Sequence, residues 1–577
     1  MLLETLKHFL RPYKRSVIYT LILLAIQAIA NLYLPALNAD LINKGVATGD
    51  ISYIWRIGFW MLLSALLVMI ASIIVSYLSA QISMGFGRDV RHDVFTAVER
   101  FSARELNQFG APSLITRNTN DVQQVQMVLF TGLTMMISAP ITGIGALIMA
   151  IKTNVQMSWI LVVVVPITSL VIWLLLRRVV PLFRLMQVRI DRINLVLREQ
   201  ISGIRVIRAF VRTGREESRF NDANTDLLNN TLQVTRTFSV MFPLLGLILN
   251  LSSVAVIWIG ASLVGNGSMS IGNLTAFLAY LMQILSSVMM AVMMSLMIPR
   301  AATSAERIQE VLRTKTSVVE SLNPVTPDTT RGLIEFRDVE FRYPGAQHPI
   351  LENISFTAKP GQITAIVGST GSGKTTLLNL IARFIDVSAG SILIDGVDVR
   401  DQSLEVLWQK IGLVPQRSFL FGTTLAENLR YGNANASDEQ LWEALEIAQA
   451  KDFVSELPEQ LETVISQGGT NLSGGQRQRI SIARALVKKS SIYLLDDSFS
   501  ALDYNTDAKL RVALEPELAN STVIIVGQRV SSIMHADQIL VLDEAHIVGI
   551  GTHAELMDSC QTYKEIVLSQ LSPQEAS

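Results

Sequence analysis

The sequence predicts a polytopic α-helical membrane domain of six spans followed by a separate α/β domain, on three observations. Six apolar runs without a single Asp, Glu, Lys or Arg precede residue 300. A stretch rich in Ser, Thr and Pro follows them, and beyond it short β-rich segments alternate with helical ones. Composition agrees. Of 577 residues 50% are hydrophobic and 17% charged, and mean hydropathy is +0.38, too apolar for a soluble chain that must clothe its surface in charge.

The runs are 16–35, 57–77, 127–151, 158–176, 238–264 and 271–299. Each approaches or exceeds the roughly 20 helical residues that cross about 30 Å of hydrocarbon. Soluble helices need a charged outer face, which these lack. The first run is too long for a cleavable signal and has no small-residue cleavage pattern after it. Ahead of it, Leu3, Leu6 and Leu10 recur at helical spacing among Lys7, Arg11, Lys14 and Arg15, which predicts a short helix lying on the membrane surface.

Charge is distributed by side. The connection between runs two and three carries Arg88, Arg91, Arg100, Arg104 and Arg117, and that between runs four and five carries twelve Arg. The other connections hold little beyond Lys44 and Lys152. Positive charge stays inside, so both termini and both long connections are expected in the cytoplasm, and the chain is expected in the cell membrane. The basic clusters are thereby accounted for by the bilayer, and a net charge of -1 excludes a broad nucleic-acid surface. A lone Cys560 excludes a disulfide framework and a thiolate metal cluster; it reads as a buried or incidental thiol.

The long connections, 85–126 and 177–236, keep helical periodicity with breakers at Gly110, Pro112 and Gly214. Each is expected to run as a helix down, a turn and a helix back, a lever arm in outline. Residues 314–330 (TKTSVVESLNPVTPDTT) have linker composition. The expected division is therefore 1–313 for the membrane domain, 314–331 for the linker and 332–577 for the α/β domain, with strands near 333–343, 363–367, 391–394, 492–495 and 522–526.

In that second domain Gly368-Ser369-Thr370-Gly371-Ser372-Gly373-Lys374-Thr375, followed by Thr376, matches the phosphate-binding loop and stands where it must, after an apolar strand and at the start of a helix. Glycines let backbone N–H groups wrap phosphates, Lys374 supplies a point charge, and the Thr375 hydroxyl suits Mg²⁺. The motif alone says only nucleotide. Ile492-Tyr493-Leu494-Leu495-Asp496 is an apolar strand ending in a carboxylate, the layout that offers Asp496 to a phosphate-bound magnesium.

Between these two lies Leu472-Ser473-Gly474-Gly475-Gln476, just before a helix. It resembles the signature of the ATP-binding cassette (ABC) proteins, and the order of the motifs is theirs too. The resemblance spans essentially the whole chain, and six spans ahead of one cassette are similar to the exporter branch. It implies ATP and Mg²⁺ as cofactors, Tyr343 as the aromatic that stacks on adenine, and Gln416 in Leu413-Val414-Pro415-Gln416 as the magnesium and coupling glutamine. It also implies that Ser500-Ala501-Leu502-Asp503 joins paired domains and that two cassettes close head to tail, each ATP lying between one phosphate loop and the other chain's signature. The turns around 109–120 and 209–217 are then the expected coupling helices, or else ordinary polar turns.

Three positions depart from the pattern. Where the family normally has the Glu that orients and deprotonates water there is Asp497, one methylene shorter. The switch His is replaced by Gln528, a neutral amide, and the stretch before the signature reads Ser466-Gln467-Gly468-Gly469. Misplacing a catalytic group by about 1 Å can cost on the order of 100-fold in rate, so this site is expected to bind nucleotide and hydrolyse it slowly. The resulting expectation is one subunit of a heterodimeric exporter, paired with a non-identical half-transporter whose active site borrows Leu472 to Gln476. A non-pumping nucleotide-sensing regulatory subunit is the alternative. Bare spans and six methionines in the sixth run (Met282, Met289, Met290, Met293, Met294, Met297) suit a hydrophobic or amphipathic small molecule, although helix packing explains them equally. Multidrug-type efflux is the expected label, with lipid, peptide or siderophore export as alternatives. Arg184, Arg189 and Arg192 are either attractors for an anion or solvated, lipid-facing charges.

Overall fold

The structure is a computed structural model that describes residues 2–327 and 330–571, apart from the side chains of Met293, Ser295 and Leu296. It divides into two units, Met1–Glu99 with Ala111–Thr314, and Arg100–Gly110 with Lys315–Ser577. Two residues of the expected linker, 328 and 329, lie outside the described residues, as does the Met293 side chain.

In the first unit each apolar run sits inside a longer helix: α1 (Lys14–Val46), α2 (Ile51–Glu99), α3 (Ala111–Thr153), α4 (Val155–Ala209), α5 (Thr213–Gly265) and α6 (Ile271–Arg313). At 1.5 Å per residue, the 55 residues of α4 reach about 80 Å, more than twice a bilayer's hydrocarbon core. α1 packs along α2, α4 along α5, and α6 against α3 and α1. Outward-facing Trp60, Leu63, Trp159, Leu174, Leu247 and Trp258 are exposed, as a lipid-facing surface requires. Inside, Tyr280 donates its hydroxyl to the Leu32 carbonyl at 3.1 Å, a bond that satisfies both groups in a buried place. The start of α6 is held as closely: Gly272 N–H donates to Asn43 Oδ1 at 2.8 Å, and a Cβ on Gly272 would stand 2.3 Å from the Ala39 carbonyl.

Three details differ from the sequence reading. The helix Leu2–Phe9 forms, but Thr5 and Phe9 are buried, and Arg313 pairs with Glu4 at 2.7 Å, so it is pinned to α6 as well as amphipathic. The second hairpin turns at Phe210–Arg212, with Val211 in the left-handed region (φ 53), while Gly214 is already helical in α5. Arg189 and Arg192 both reach Asp226, at 2.7 and 2.8 Å, so two of the three arginines considered for an anion are committed to a carboxylate on the facing helix.

The second unit contains two sheets. Strands β1 (Ile334–Phe341), β2 (Leu351–Ala358), β4 (Ala389–Ile394) and β5 (Val397–Asp398) form an antiparallel sheet in the order β2-β1-β4-β5. Strands β3 (Ile363–Gly368), β6 (Ile411–Val414), β7 (Ile492–Asp496), β8 (Thr522–Val526), β9 (Gln538–Asp543) and β10 (His546–Gly551) form the other, ordered β10-β9-β3-β8-β7-β6 and parallel except for β10. β7 and β8 are buried along their whole length, as parallel strands covered on both faces must be. Helices α7 (Lys374–Ile381), α8 (Gly474–Val487) and α9 (Tyr504–Leu518) accompany this sheet. The register pairs Ile366 with Val526 and Asp496 with Val526, so the ends of β3, β8 and β7 lie side by side. Crevices outside such strand ends are where open α/β sheets bind ligands.

The segment Arg100–Gly110 folds as part of this unit. Its helix Ala103–Phe109 begins with a capping box: Arg104 N–H donates to Ser102 Oγ at 3.1 Å and Ser102 N–H to Glu105 Oε2 at 3.0 Å. The Ser102 hydroxyl also meets that of Ser317 at 2.9 Å. Burial alone would raise the Glu105 pKa, but the hydrogen bonds from Ser102 and Ser317 together hold it below its usual range.

Candidate nucleotide site

The loop between β3 and α7 curls because its glycines permit it. Gly371 and Gly373 stand at φ 87 and 96, and a Cβ on Gly373 would meet the Ile350 carbonyl at 2.9 Å. Lys374 opens α7 and folds its ammonium back onto the Gly368 and Ser369 carbonyls, at 2.9 and 2.7 Å. Its burial lowers its pKa, an effect that the nearby carboxylates of Asp496 and Asp497 oppose. The Ser372 hydroxyl is buried without a partner in the same loop. A cradle of backbone N–H groups, an ammonium and an orphaned hydroxyl fits a polyphosphate.

Beside the loop, the Thr375 hydroxyl donates to Asp496 Oδ1 at 3.2 Å. Burial pushes the Asp496 carboxyl up, the Thr375 bond opposes that, and neighbouring Asp497 adds to the rise. Raising a carboxylate by burial and like charge stores a demand for a cation. Asp497, left-handed at φ 48 and buried, donates its N–H to the Val526 carbonyl at 3.0 Å and accepts from Gln416 Nε2 at 3.5 Å. Thr375, Asp496 and Gln416 therefore converge with Asp497, as the sequence led us to expect. Tyr343 meets the Thr376 hydroxyl at 3.0 Å, half-exposed above the same helix start.

Gln528 faces the phosphate loop across a cavity of about 420 Å³, lined by Ser369, Thr370, Lys374, Asp543, Glu565 and Gln570 and not by Asp496, Asp497 or Gln416. Asp543, Glu565 and Gln570 escaped sequence reasoning. Gln570 donates to the Gln528 carbonyl at 2.8 Å and accepts from Val530 N–H at 2.9 Å, so the C-terminal helix Gln561–Leu568 and the residues after it hold the Gln528 loop in place. Nothing in an ordinary amphipathic stretch marked them.

The signature residues are built differently. Ser473 caps α8: its Oγ accepts from Gln476 N–H at 3.2 Å while Gln476 Oε1 accepts from Ser473 N–H at 2.8 Å, a closed capping box. Leu472 is buried beneath; Ser473 and Gly474 are exposed, and Gly475 is half-buried. None of the five lines the cavities around the phosphate loop. Asp503 caps α9 by accepting from Thr506 N–H at 3.0 Å, which lowers its pKa. Arg529 donates to the Leu502 and Ser500 carbonyls at 3.3 and 3.0 Å, tying this loop to the Gln528 loop.

Comparison with known proteins bears on the whole chain. Residues 17–288 match the family model described as ABC transporter transmembrane region, and residues 351–500 that described as ABC transporter. An uncharacterised ABC transporter ATP-binding protein of Mycobacterium tuberculosis is 46% identical over 99% of this chain and 98% of its own length. An ATP-dependent lipid A-core flippase of Aromatoleum aromaticum is 34% identical over 87% of this chain and 83% of its own length. A bacterial Atm1-family ABC exporter, solved with ATP bound, shares the fold, with a TM-score of 0.78 at 22% identity over 96% of this chain and 97% of that one. Six membrane-spanning helices, an α/β domain with a phosphate loop and signature, and these matches lead to one conclusion: the chain belongs to the ABC transporter family, as a multi-pass membrane exporter with an ATP-hydrolysing domain.

Proposed function

We propose that this chain is the slow-site half of a heterodimeric exporter that moves hydrophobic or amphipathic compounds out of the cell. The observation that carries the reading is the pair Asp497 and Gln528, set around the phosphate loop where a longer carboxylate and a histidine are the family's usual groups. Asp497 is held on the left-handed turn after β7, with its backbone bonded to β8. That anchoring keeps its short side chain from advancing toward a water. Gln528 offers only a neutral amide.

In this reading Lys374, Thr375, Asp496 and Gln416 bind Mg-ATP through charge, hydroxyl, carboxylate and amide. Thr375, Asp496 and Gln416 would hold the magnesium ion, which would neutralise charge that develops on the phosphates. Asp497 orients water poorly because it is a methylene short, so the chain's own composite site turns over slowly. The exposed cap of α8, Ser473 and Gly474, is lent to the partner's site, where an ordinary Glu and His complete the machinery. The first coupling element, expected around 109–120, falls earlier in this reading, because residues from Ala111 onward already belong to α3: Arg100–Gly110, continuous with α2 and α3 yet folded with the second unit, acts as one coupling element, and the Phe210–Arg212 turn, inside the expected 209–217, as the other. In this reading the Arg-rich turns and the second unit lie in the cytoplasm, and the chain is divided at 1–313, 314–331 and 332–577, with Arg100–Gly110 of the first stretch and the linker both folded into the second unit. The bare lipid-facing spans suit cargo that partitions into the bilayer; the flippase relative makes a lipid-like cargo a natural member of that class.

The experiment is ATP hydrolysis by the purified chain, alone and co-reconstituted with candidate half-transporters. Turnover well below about 1 per second alone, rising to the ordinary enzyme range of about 1–1000 per second with one partner, is expected. Tens of turnovers per second by the chain alone would overturn the heterodimer; ATP binding with no hydrolysis beside any partner would favour a regulatory subunit.

A further inference from the structure

β8 ends at Val526, and the chain runs on extended as it carries Gln528 past the phosphate loop. Gly527 N–H still donates to the Ile366 carbonyl of β3 at 3.2 Å, and Arg529 keeps strand-like angles (φ -94, ψ 123). The next two backbone groups are met by a side chain. Gln570 donates its amide N–H to the Gln528 carbonyl and accepts the Val530 N–H on its amide oxygen. One carboxamide thus fills both groups on one edge of an extended chain, as a residue of an adjoining parallel strand would fill them.

Gln570 is presented from a fixed base. Tyr563 and Val567 of the helix Gln561–Leu568 are buried, the Gln570 N–H donates to the Val567 carbonyl at 3.0 Å, and Leu571 packs on the same apolar cluster that holds Val530 and Ile533.

Two observations assign this contact to the site more than to the fold. The loop is secured without it: Val530 is fully buried, and Arg529 donates to the Leu502 and Ser500 carbonyls. Gln570 is itself exposed and adds little to the core, yet it lines, with Gln528, Ser369, Thr370 and Lys374, the cavity beside the phosphate loop. What its two bonds fix is the main chain on either side of Arg529, and with it the direction in which the exposed Gln528 side chain leaves the loop.

We infer that Gln570 is a positioning residue for this nucleotide site. By holding the main chain after Gln528 it keeps the Gln528 amide, a neutral donor, turned toward the outermost phosphate of ATP, the group that ADP lacks. Its effect falls on the preference for ATP over ADP and spares the affinity that the phosphate loop gives to both. The inference rests on the reading of Gln528 above as the stand-in for the family's histidine.

The test uses the full chain in phospholipid vesicles, photolabelled on ice by an azido-ATP analogue, with Mg-ATP and Mg-ADP compared as competitors. Losing a hydrogen bond to a charged phosphate should make Gln528→Ala lower the ATP preference by about tenfold. Gln570→Ala, which leaves the Gln528 amide present but unsteadied, should lower it by about fourfold with ADP affinity changed less than about twofold. Gln570→Met keeps the length of the side chain without its hydrogen bonds and should match Gln570→Ala; it also carries the test if the alanine variant does not fold. On the Gln528→Ala background, Gln570→Ala should add less than about twofold, because the group it positions is gone. A merely structural role would weaken both nucleotides alike and add in full to Gln528→Ala. An unchanged preference in Gln570→Met, equal loss of ATP and ADP, or full additivity with Gln528→Ala each overturns the inference and leaves the reading of Gln528 standing. An unchanged preference in Gln528→Ala itself overturns both, so the two failures are told apart.

Discussion

The side-chain amide of Gln416 stands 3.5 Å from a carboxylate oxygen of Asp497, at the outer limit of a hydrogen bond. The gap matters because the Asp497 backbone is fixed by its bond to Val526 and cannot slide forward. Asp497→Glu restores the missing methylene. Hydrolysis at this chain's own site, measured with the partner's site disabled, is expected to rise by up to about 100-fold. In the proposed heterodimer, turnover of the intact pair should change less than about twofold, because the partner's site would already run. An unchanged own-site rate would mean that side-chain length is not the defect.

Lys374→Ala removes the ammonium that now bridges two loop carbonyls. Loss of hydrogen bonds to a charged group should weaken nucleotide binding by roughly 10- to 100-fold. Photolabelling by an ATP analogue measures it, and undiminished labelling would refute the assignment of the loop.

Ser473→Arg places a long cation on the exposed cap of α8. ATP turnover by the pair is expected to fall on the order of 100-fold, the usual loss when a preorganised contact to the reacting phosphate is removed. Nucleotide binding at this chain's own phosphate loop should persist, which separates the effect from misfolding. Retained turnover would show that the signature serves no site.

Glu105 gives a pH test. Its folded pKa is lowered from the ordinary 4.5, so its contribution to stability is complete above 4.5 and is lost as pH falls through the lower folded value. Glu105→Gln keeps a neutral cap and should cost about 1 kcal/mol at pH 7. Thermal melting of wild type and variant should converge as the pH drops below 4.5; a constant difference across that window would deny the carboxylate its role.

Orientation is tested with tags at two open positions. Neither Gly267, in the turn between α5 and α6, nor Gly214, beside the α4–α5 turn, has an atom near a would-be Cβ. Impermeant reagents should reach a tag at Gly267 from outside the cell and one at Gly214 only from inside; the reverse pattern would invert the topology.

The six spans were legible because bare apolar runs admit one explanation, and the phosphate loop because spacing and context specify it. The ends of the helices were not. Pro35 reads as a stop, yet it lies within the helix Lys14–Asp40; membrane helices tolerate proline where protein groups around them can satisfy the backbone it frees. Strands β2, β5, β6, β9 and β10 went unread: Leu351–Ala358 carries Glu352 and Asn353 among its apolar residues, and only pairing with β1 makes it a strand. The motif residues Thr375 with Asp496 and Gln416 with Asp497 are brought together by the fold, whereas Asp543, Glu565 and Gln570 come to the cleft beside the phosphate loop by tertiary folding alone.

The fold of Arg100–Gly110 with residues more than 200 positions later has a consequence for synthesis. At a ribosomal pace of roughly 5–20 residues per second, this short segment leaves the ribosome about 10 to 40 seconds before Lys315. For that interval the Ser102 hydroxyl has no Ser317 to meet, and α3, α4, α5 and α6 are made with the segment undocked. A chain ended after Arg313 would therefore lack more than its ATPase. The hairpin between α2 and α3 would present an unclaimed tip, the kind of exposed surface that chaperones and proteases recognise.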